Sequence, residues 1–201
     1  MVENLKVTRY ADGSSISEVV GTAEWEALGD TDEAYCWHHN NPYYGDDYGA
    51  LYTWAAAMKG AAASEANPSG VQGVCPTGWH LPSDSEWKQL EMYLGMSQAE
   101  ADGYDFRGTD EGSKLKETGT TYWISPNTGA TNESGFSARG SGSRALWGDF
   151  VGFREGVIYW SATESGIPGQ TMYRQLASVE SRIARGSKEK DSGDPVRCIK
   201  D

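Results

Sequence analysis

One α+β domain is predicted for this chain of 201 residues, on three observations. Helix signatures fall in the first half, and short apolar segments divided by turn residues fall in the second. A strand-like segment stands near each end. Helices gathered in one region and strands in another mark that class, because strict alternation would instead build a parallel sheet. Hydrophobic residues at 38% supply a core and exclude global disorder. No linker, fixed-period repeat or shift of composition divides the sequence, so residues 1–201 are read as a single domain. Gly (25) and Pro (7) imply many turns and much irregular chain.

Each element follows from local pattern. Glu3 to Tyr10 alternates Leu5 and Val7 with Lys6 and Thr8, the period of a half-buried strand, and Ala11-Asp-Gly-Ser turns it. Thr22 to Leu28 is predicted as a short helix with Trp25 and Leu28 on one face. After Tyr35-Cys-Trp, a turn-rich aromatic run extends from Asn40 to Gly49. Ala50 to Lys59 places Leu51, Trp54, Ala55 and Met58 at i, i+3, i+4 and i+7, one apolar stripe ended by Gly60. A small-residue loop runs from Ala61 to Val74. Ser83 with Glu86 has the spacing of a capping box, and opens a helix whose stripe is Trp87, Leu90 and Leu94 before Gly95 stops it. Ser97 with Glu100 repeats that spacing for one further turn. Beyond about residue 119 the short apolar pieces begin at Tyr122, Gly135, Ala145, Val157, Met172 and Pro195, each predicted as a strand.

Charge and cysteines exclude several function classes. Lys and Arg number 17 against 29 Asp and Glu, a formal net charge of −12. That balance repels phosphate backbones and anionic lipid, so neither nucleic acid nor direct membrane insertion is expected. The longest uncharged apolar-leaning run, Gly49 to Met58, is too short to cross a bilayer. Met1 is followed by polar and charged residues rather than an apolar stretch, so a leader is expected to lie outside this sequence. Cys36, Cys75 and Cys198 form no CxxC, which excludes a zinc ribbon or a thioredoxin-type motif, and leaves one disulfide with a free thiol, or none. Cys36, His38, His39, Asp46 and Asp47 lack zinc-ligand spacing, and the two histidines are read as surface residues. His80 is read as a structural histidine, and Trp79 and Trp87 as core.

At Cys75-Pro-Thr-Gly-Trp-His-Leu-Pro-Ser-Asp-Ser-Glu-Trp the chain resembles the Fibrobacter succinogenes major paralogous domain, common in exported proteins and lipoproteins of gut bacteria. The same family is matched by Glu3-Asn-Leu-Lys-Val-Thr-Arg-Tyr-Ala-Asp-Gly, Tyr48-Gly-Ala-Leu-Tyr-Thr-Trp, Lys114-Leu-Lys-Glu-Thr-Gly, Thr131-Asn-Glu-Ser-Gly-Phe, Tyr159-Trp-Ser-Ala-Thr-Glu and Val196-Arg-Cys-Ile-Lys-Asp. The resemblance implies a C-type-lectin-like fold. In it the N- and C-terminal strands pair, two main helices flank short, mostly antiparallel strands, and a long irregular region carries the ligand surface. It also implies an exported or surface-displayed setting, in which a Cys75–Cys198 disulfide would form; Cys36–Cys75 is the rival pairing.

The function implied is binding of a protein or glycan without catalysis, as in an adhesin, through residues 147–188. Trp147, Tyr159, Trp160 and Tyr173 supply aromatic area, and Arg174, Gln175, Ser178, Glu180, Arg182 and Arg185 polar contacts. From Ser178 to Ala184, alternation sets Val179, Ser181 and Ile183 on one face and Glu180, Arg182 and Ala184 on the other, free for a ligand. Some proteins of this fold are diversified here by retroelement-driven mutagenesis. No cofactor is expected beyond a structural calcium, with Asn127, Asn132, Glu133 and Asp149 as candidate oxygen ligands. Two alternatives stand beside binding. One is a structural domain displayed on a fimbria or lipoprotein. The other is a thiol- and copper-dependent oxidase resembling formylglycine-generating enzymes, which need two cysteines five positions apart. Cys198 matches the second, but Gly193 stands at the first.

Overall fold

The computed structural model describes residues 3–201. Along the chain run β1 (Ser17–Glu18), α1 (Thr22–Glu26), β2 (Ala34–Cys36), a 3-10 turn (His38–Asn40), α2 (Tyr43–Tyr48), β3 (Leu51–Tyr52), α3 (Trp54–Met58) and β4 (Trp79–His80). Then come α4 (Asp84–Tyr93), α5 (Gln98–Ala101), β5 (Asp105–Arg107), α6 (Glu111–Leu115), β6 (Ser143–Arg144) and β7 (Phe150–Val151). The long strands follow last: β8 (Gly156–Glu164), β9 (Gln170–Ala177), β10 (Ile183–Glu189) and the short β11 (Ile199–Lys200). Helices thus precede the main strands, as the α+β reading requires.

The central sheet is antiparallel in the order β5–β10–β9–β8. Along β9 the buried residues are Thr171, Met172, Arg174 and Leu176, so Arg174 takes a core position. Arg174 and Arg185 are direct partners across β9 and β10. Small ladders complete the molecule: β1–β2–β3, β6–β7 and β4–β11.

α4 is where local chemistry and packing agree most closely. The Ser83 hydroxyl accepts from the Glu86 N–H while the Glu86 carboxylate accepts from the Ser83 N–H, the reciprocal capping box. Its fully buried stripe differs from the apolar one expected: Asp84, Trp87 and Glu91 point inward, and Leu90 stays half-exposed. The carboxylates are buried because the sheet meets them with guanidinium groups. Arg174 lies 2.6 Å from both Asp84 and Glu91, Arg185 lies 2.8 Å from Asp84, and Arg107 lies 2.5 Å from Glu91. Losing the Ser83 cap in a Ser83→Ala variant is expected to cost about 1 kcal/mol, read as a shift of the urea midpoint.

Irregular segments are pinned by buried indoles. Trp25, Trp54, Trp123 and Trp160 each donate their N–H to a backbone carbonyl, of Asp191, Ser161, Ala138 and Tyr52. A ring that fills the core while its N–H holds loop backbone lets chain without regular structure stay ordered. The segments at Tyr122 and Gly135, expected as strands, are such loops. Trp123, in the first of them, is wholly buried and donates to Ala138 in the second.

Other expectations shift by one structural step. The helix expected from Ala50 starts at Trp54, because Thr53 caps it by accepting from the Ala56 N–H, and Leu51 and Tyr52 pair with β2. The turn-rich run after Asn40 contains α2. The strand expected over Glu3 to Tyr10 is irregular. Among the described residues the terminal segments meet through a backbone bond from the Leu5 N–H to the Val196 carbonyl at 3.0 Å, while β11 pairs with β4 instead. Cys75 and Cys198 are joined by a disulfide, and Cys36 is free and buried.

Candidate functional site

Most of the C-terminal surface expected from sequence does not assemble; of its residues, Gln175 and Ser178 line one cavity of about 440 Å³ beside Val179. Tyr159 and Trp160 are core residues, and Arg174 and Arg185 are buried in the ion network of α4. Ser178 is buried in a tight turn, its N–H on the Glu155 carbonyl. Tyr173 and Gln175 are half-buried. Glu180 and Arg182 pair with each other at 2.5 Å, which draws the Glu180 pKa down to about 2. The alternation expected from Ser178 to Ala184 breaks because residues before Ile183 form a turn: Val179 is 70% exposed at its tip and Ile183 is buried. Trp147 is 51% exposed, but its turn packs elsewhere, with Gly148 against Thr22.

Nor do the other candidates converge. Asn132 bonds Ser137 through both ends of its carboxamide, and Asn127 donates to the carbonyls of Glu117 and Gly119. Asp149 accepts from the Trp147 indole, and Glu133 is exposed. Among the described residues no group of three His, Cys, Asp or Glu side chains is placed to hold a metal ion. His38 is not a surface residue. It stacks on Phe153 at 4.3 Å, and burial, with His39 beside it, pushes its pKa down to about 3. His39 is exposed.

A cleft does form where the sequence suggested only core, between α4 and the β4–β11 ribbon. Its outer part is a cavity of about 670 Å³ reaching from Asn67, Gln72 and Gln89 to Tyr93, His80 and Asp201. An inner part of about 360 Å³ continues between Trp79, Pro82, Trp87, Leu90, Phe136 and Ile199. The two share Trp79, Glu86, Leu90, Ile199 and Lys200. Volumes of this order are those of small-ligand sites, which combine apolar walls with a few placed polar groups.

Local structure explains why these side chains are here. The capping box that starts α4 turns Glu86 toward the ribbon, and the ladder of His80 with Ile199 sets the imidazole opposite it. His80 Nε2 lies 2.7 Å from Glu86 Oε1, and Nδ1 lies 2.7 Å from Asp201 Oδ1. A doubly protonated ring donates to both carboxylates. Burial alone would lower the His80 pKa, but the hydrogen bonds and charges of Asp201 and Glu86 outweigh it and raise the value. Glu86 also accepts from the Ser69 N–H, so one carboxylate ties loop, helix and ribbon together. Tyr93 at the far end of α4 is 86% exposed on the rim. Sequence reasoning missed this site. Its available signal was the placement of Trp79 and His80 immediately before a capped helix.

The pairing has a measurable pH dependence. A histidine whose folded pKa is raised stabilises the protein fully below its unfolded value of about 6.5, and loses that contribution as pH rises through the folded value. In urea titrations the stability difference between wild type and His80→Gln is expected to be larger at pH 5.5 than at pH 9. An equal difference at both values would mean that the ring is neutral throughout.

The family model described as the Fibrobacter succinogenes major domain matches residues 1–200. No curated protein and no solved structure matches the chain.

Proposed function

The chain belongs to the Fibrobacter succinogenes major domain family, and on that footing we propose that it is a non-catalytic ligand-binding module of an exported or surface-displayed bacterial protein, its protein or glycan ligand held in the cleft between α4 and β11. The observation that carries this reading is the cleft itself, a large concavity where an exposed aromatic, carboxamides and a rigid charged floor converge. The Cys75–Cys198 disulfide supports an oxidising compartment. On this reading the module needs no cofactor.

Two observations favour binding over thiol-dependent oxidation. The Cys198 sulfur is bonded to Cys75, so it is no free thiolate. At Gly193 an added Cβ would stand 2.8 Å from Trp25 Cζ2 and 3.1 Å from Arg144 Cβ, so a second thiol there is opposed by packing. The test is saturable binding to glycan and peptide arrays by wild type, Leu90→Glu and Arg182→Ala. Loss in Leu90→Glu with retention in Arg182→Ala is expected; retention in Leu90→Glu would place the ligand elsewhere.

A further inference from the structure

The two parts of the cleft differ in chemistry, and that difference names a ligand class. This step rests on the cleft being the binding site. The inner part is walled by Trp79, Pro82, Trp87, Leu90, Phe136 and Ile199. Two of its charged groups are occupied, Glu86 by His80, Ser69 and Ser83, and Arg197 by Asn4 and by the carbonyls of Phe136 and Ser137; the third, Lys200, is shared with the outer part. Among the inner side chains the Trp87 indole N–H is buried without a partner. A sugar ring would bring hydroxyls on every side to a chamber with so few groups to receive them, at the cost of stripping their water. A large apolar side chain loses nothing there and removes its surface from water.

The outer part supplies what flanks such an anchor. Asn67 Nδ2 donates to Gln89 Oε1 at 2.6 Å, which leaves Asn67 Oδ1 as an acceptor and Gln89 Nε2 as a donor side by side. A peptide group carries the complementary donor and acceptor. His80 is held between Glu86 and one oxygen of Asp201, whose side chain otherwise faces solvent, whereas Lys200 makes no ion pair among the described residues. The cleft therefore offers one uncommitted cation on a protein of net charge −12.

We infer that the cleft recognises a polypeptide segment, with one large apolar residue in the inner chamber, its main-chain amide on the Asn67–Gln89 pair and a neighbouring carboxylate on Lys200. In such an arrangement the one buried side chain is expected to dominate affinity.

The test follows the Trp79 and Trp87 indole N–H resonances of the intact protein by NMR during titration with four probes. They are N-acetylphenylalanine, N-acetylphenylalaninamide, N-acetylglycine and methyl β-glucopyranoside. N-acetylphenylalanine is expected to saturate the shifts roughly tenfold or more tighter than N-acetylglycine. It should bind roughly twofold to fivefold tighter than its amide, and Lys200→Gln should erase that second ratio while leaving the first. Leu90→Glu should abolish saturation by N-acetylphenylalanine; because Leu90 is half-exposed, the folded spectrum should persist. Saturation by the glucoside alone would overturn the peptide assignment while leaving the cleft as the site. No saturation by any probe at tens of millimolar would overturn both. A ratio unchanged in Lys200→Gln would remove the carboxylate from the proposal.

Discussion

Arg174→Ala is expected to destabilise the protein by about 3–5 kcal/mol, because two buried carboxylates lose the guanidinium they share, leaving Arg185 to Asp84 and Arg107 to Glu91, and because the buried side chain leaves a cavity. For a chain of this size that corresponds to a fall in Tm of roughly 10 °C. Arg174 is wholly buried and bridges Asp84 and Glu91, and neither carboxylate has a route to water. Burial would raise the Asp84 pKa, but Arg185 and Arg174 hold its carboxyl well below the usual carboxylate range. A carboxylate with a depressed folded pKa adds stability that is present above its unfolded value of about 3.9, and is lost as pH falls through the folded value. The variant should therefore also begin to unfold at a higher pH during acid titration. A loss below about 1 kcal/mol would show that the network behaves like surface ion pairs.

Reducing the disulfide is the second large effect. Cys75 and Cys198 are 123 residues apart in sequence, so the bond restricts most of the unfolded chain. A contribution of about 3–5 kcal/mol is expected, seen as a fall in the thermal midpoint when reductant is added. Thiol counting by alkylation and mass spectrometry checks the premise. The native protein should take no label, because Cys36 is buried and burial pushes its pKa up to about 12. Denaturation without reductant should expose one thiol, and denaturation with reductant three. Three labels without reductant would show that the bond is absent.

The sequence made some elements legible because their chemistry is local. Both capping boxes, Ser83 with Glu86 and Ser97 with Glu100, form as their spacing predicts. The strands begun by Val157 and Met172 form as well. What remained hidden was non-local. Arg174 and Arg185 looked like solvated ligand contacts, because charge in a strand ordinarily marks the wet face. Only the meeting of β9 and β10 with α4 turns that face inward. One sign was available: Asp84, Trp87 and Glu91 recur at helical spacing, so the face of α4 that buries tryptophan also buries two acids. The cleft was hidden for the same reason. Its walls are a helix and a ribbon whose strands lie more than a hundred residues apart, and no local pattern reports the gap between them.

The direct pairing of Arg174 with Arg185 across β9 and β10 bears on how the two strands find their register. Like charges facing each other across two strands oppose their association, so the hairpin by itself is biased against closing in its native register. Asp84 removes that opposition by binding both guanidinium groups at once. Asp84 is in turn the first residue of a helix that starts from its own cap. Docking of α4 is therefore expected to favour the native register of this hairpin, and Asp84→Asn to weaken it. Ten residues of helix thus help to set how β9 and β10 align.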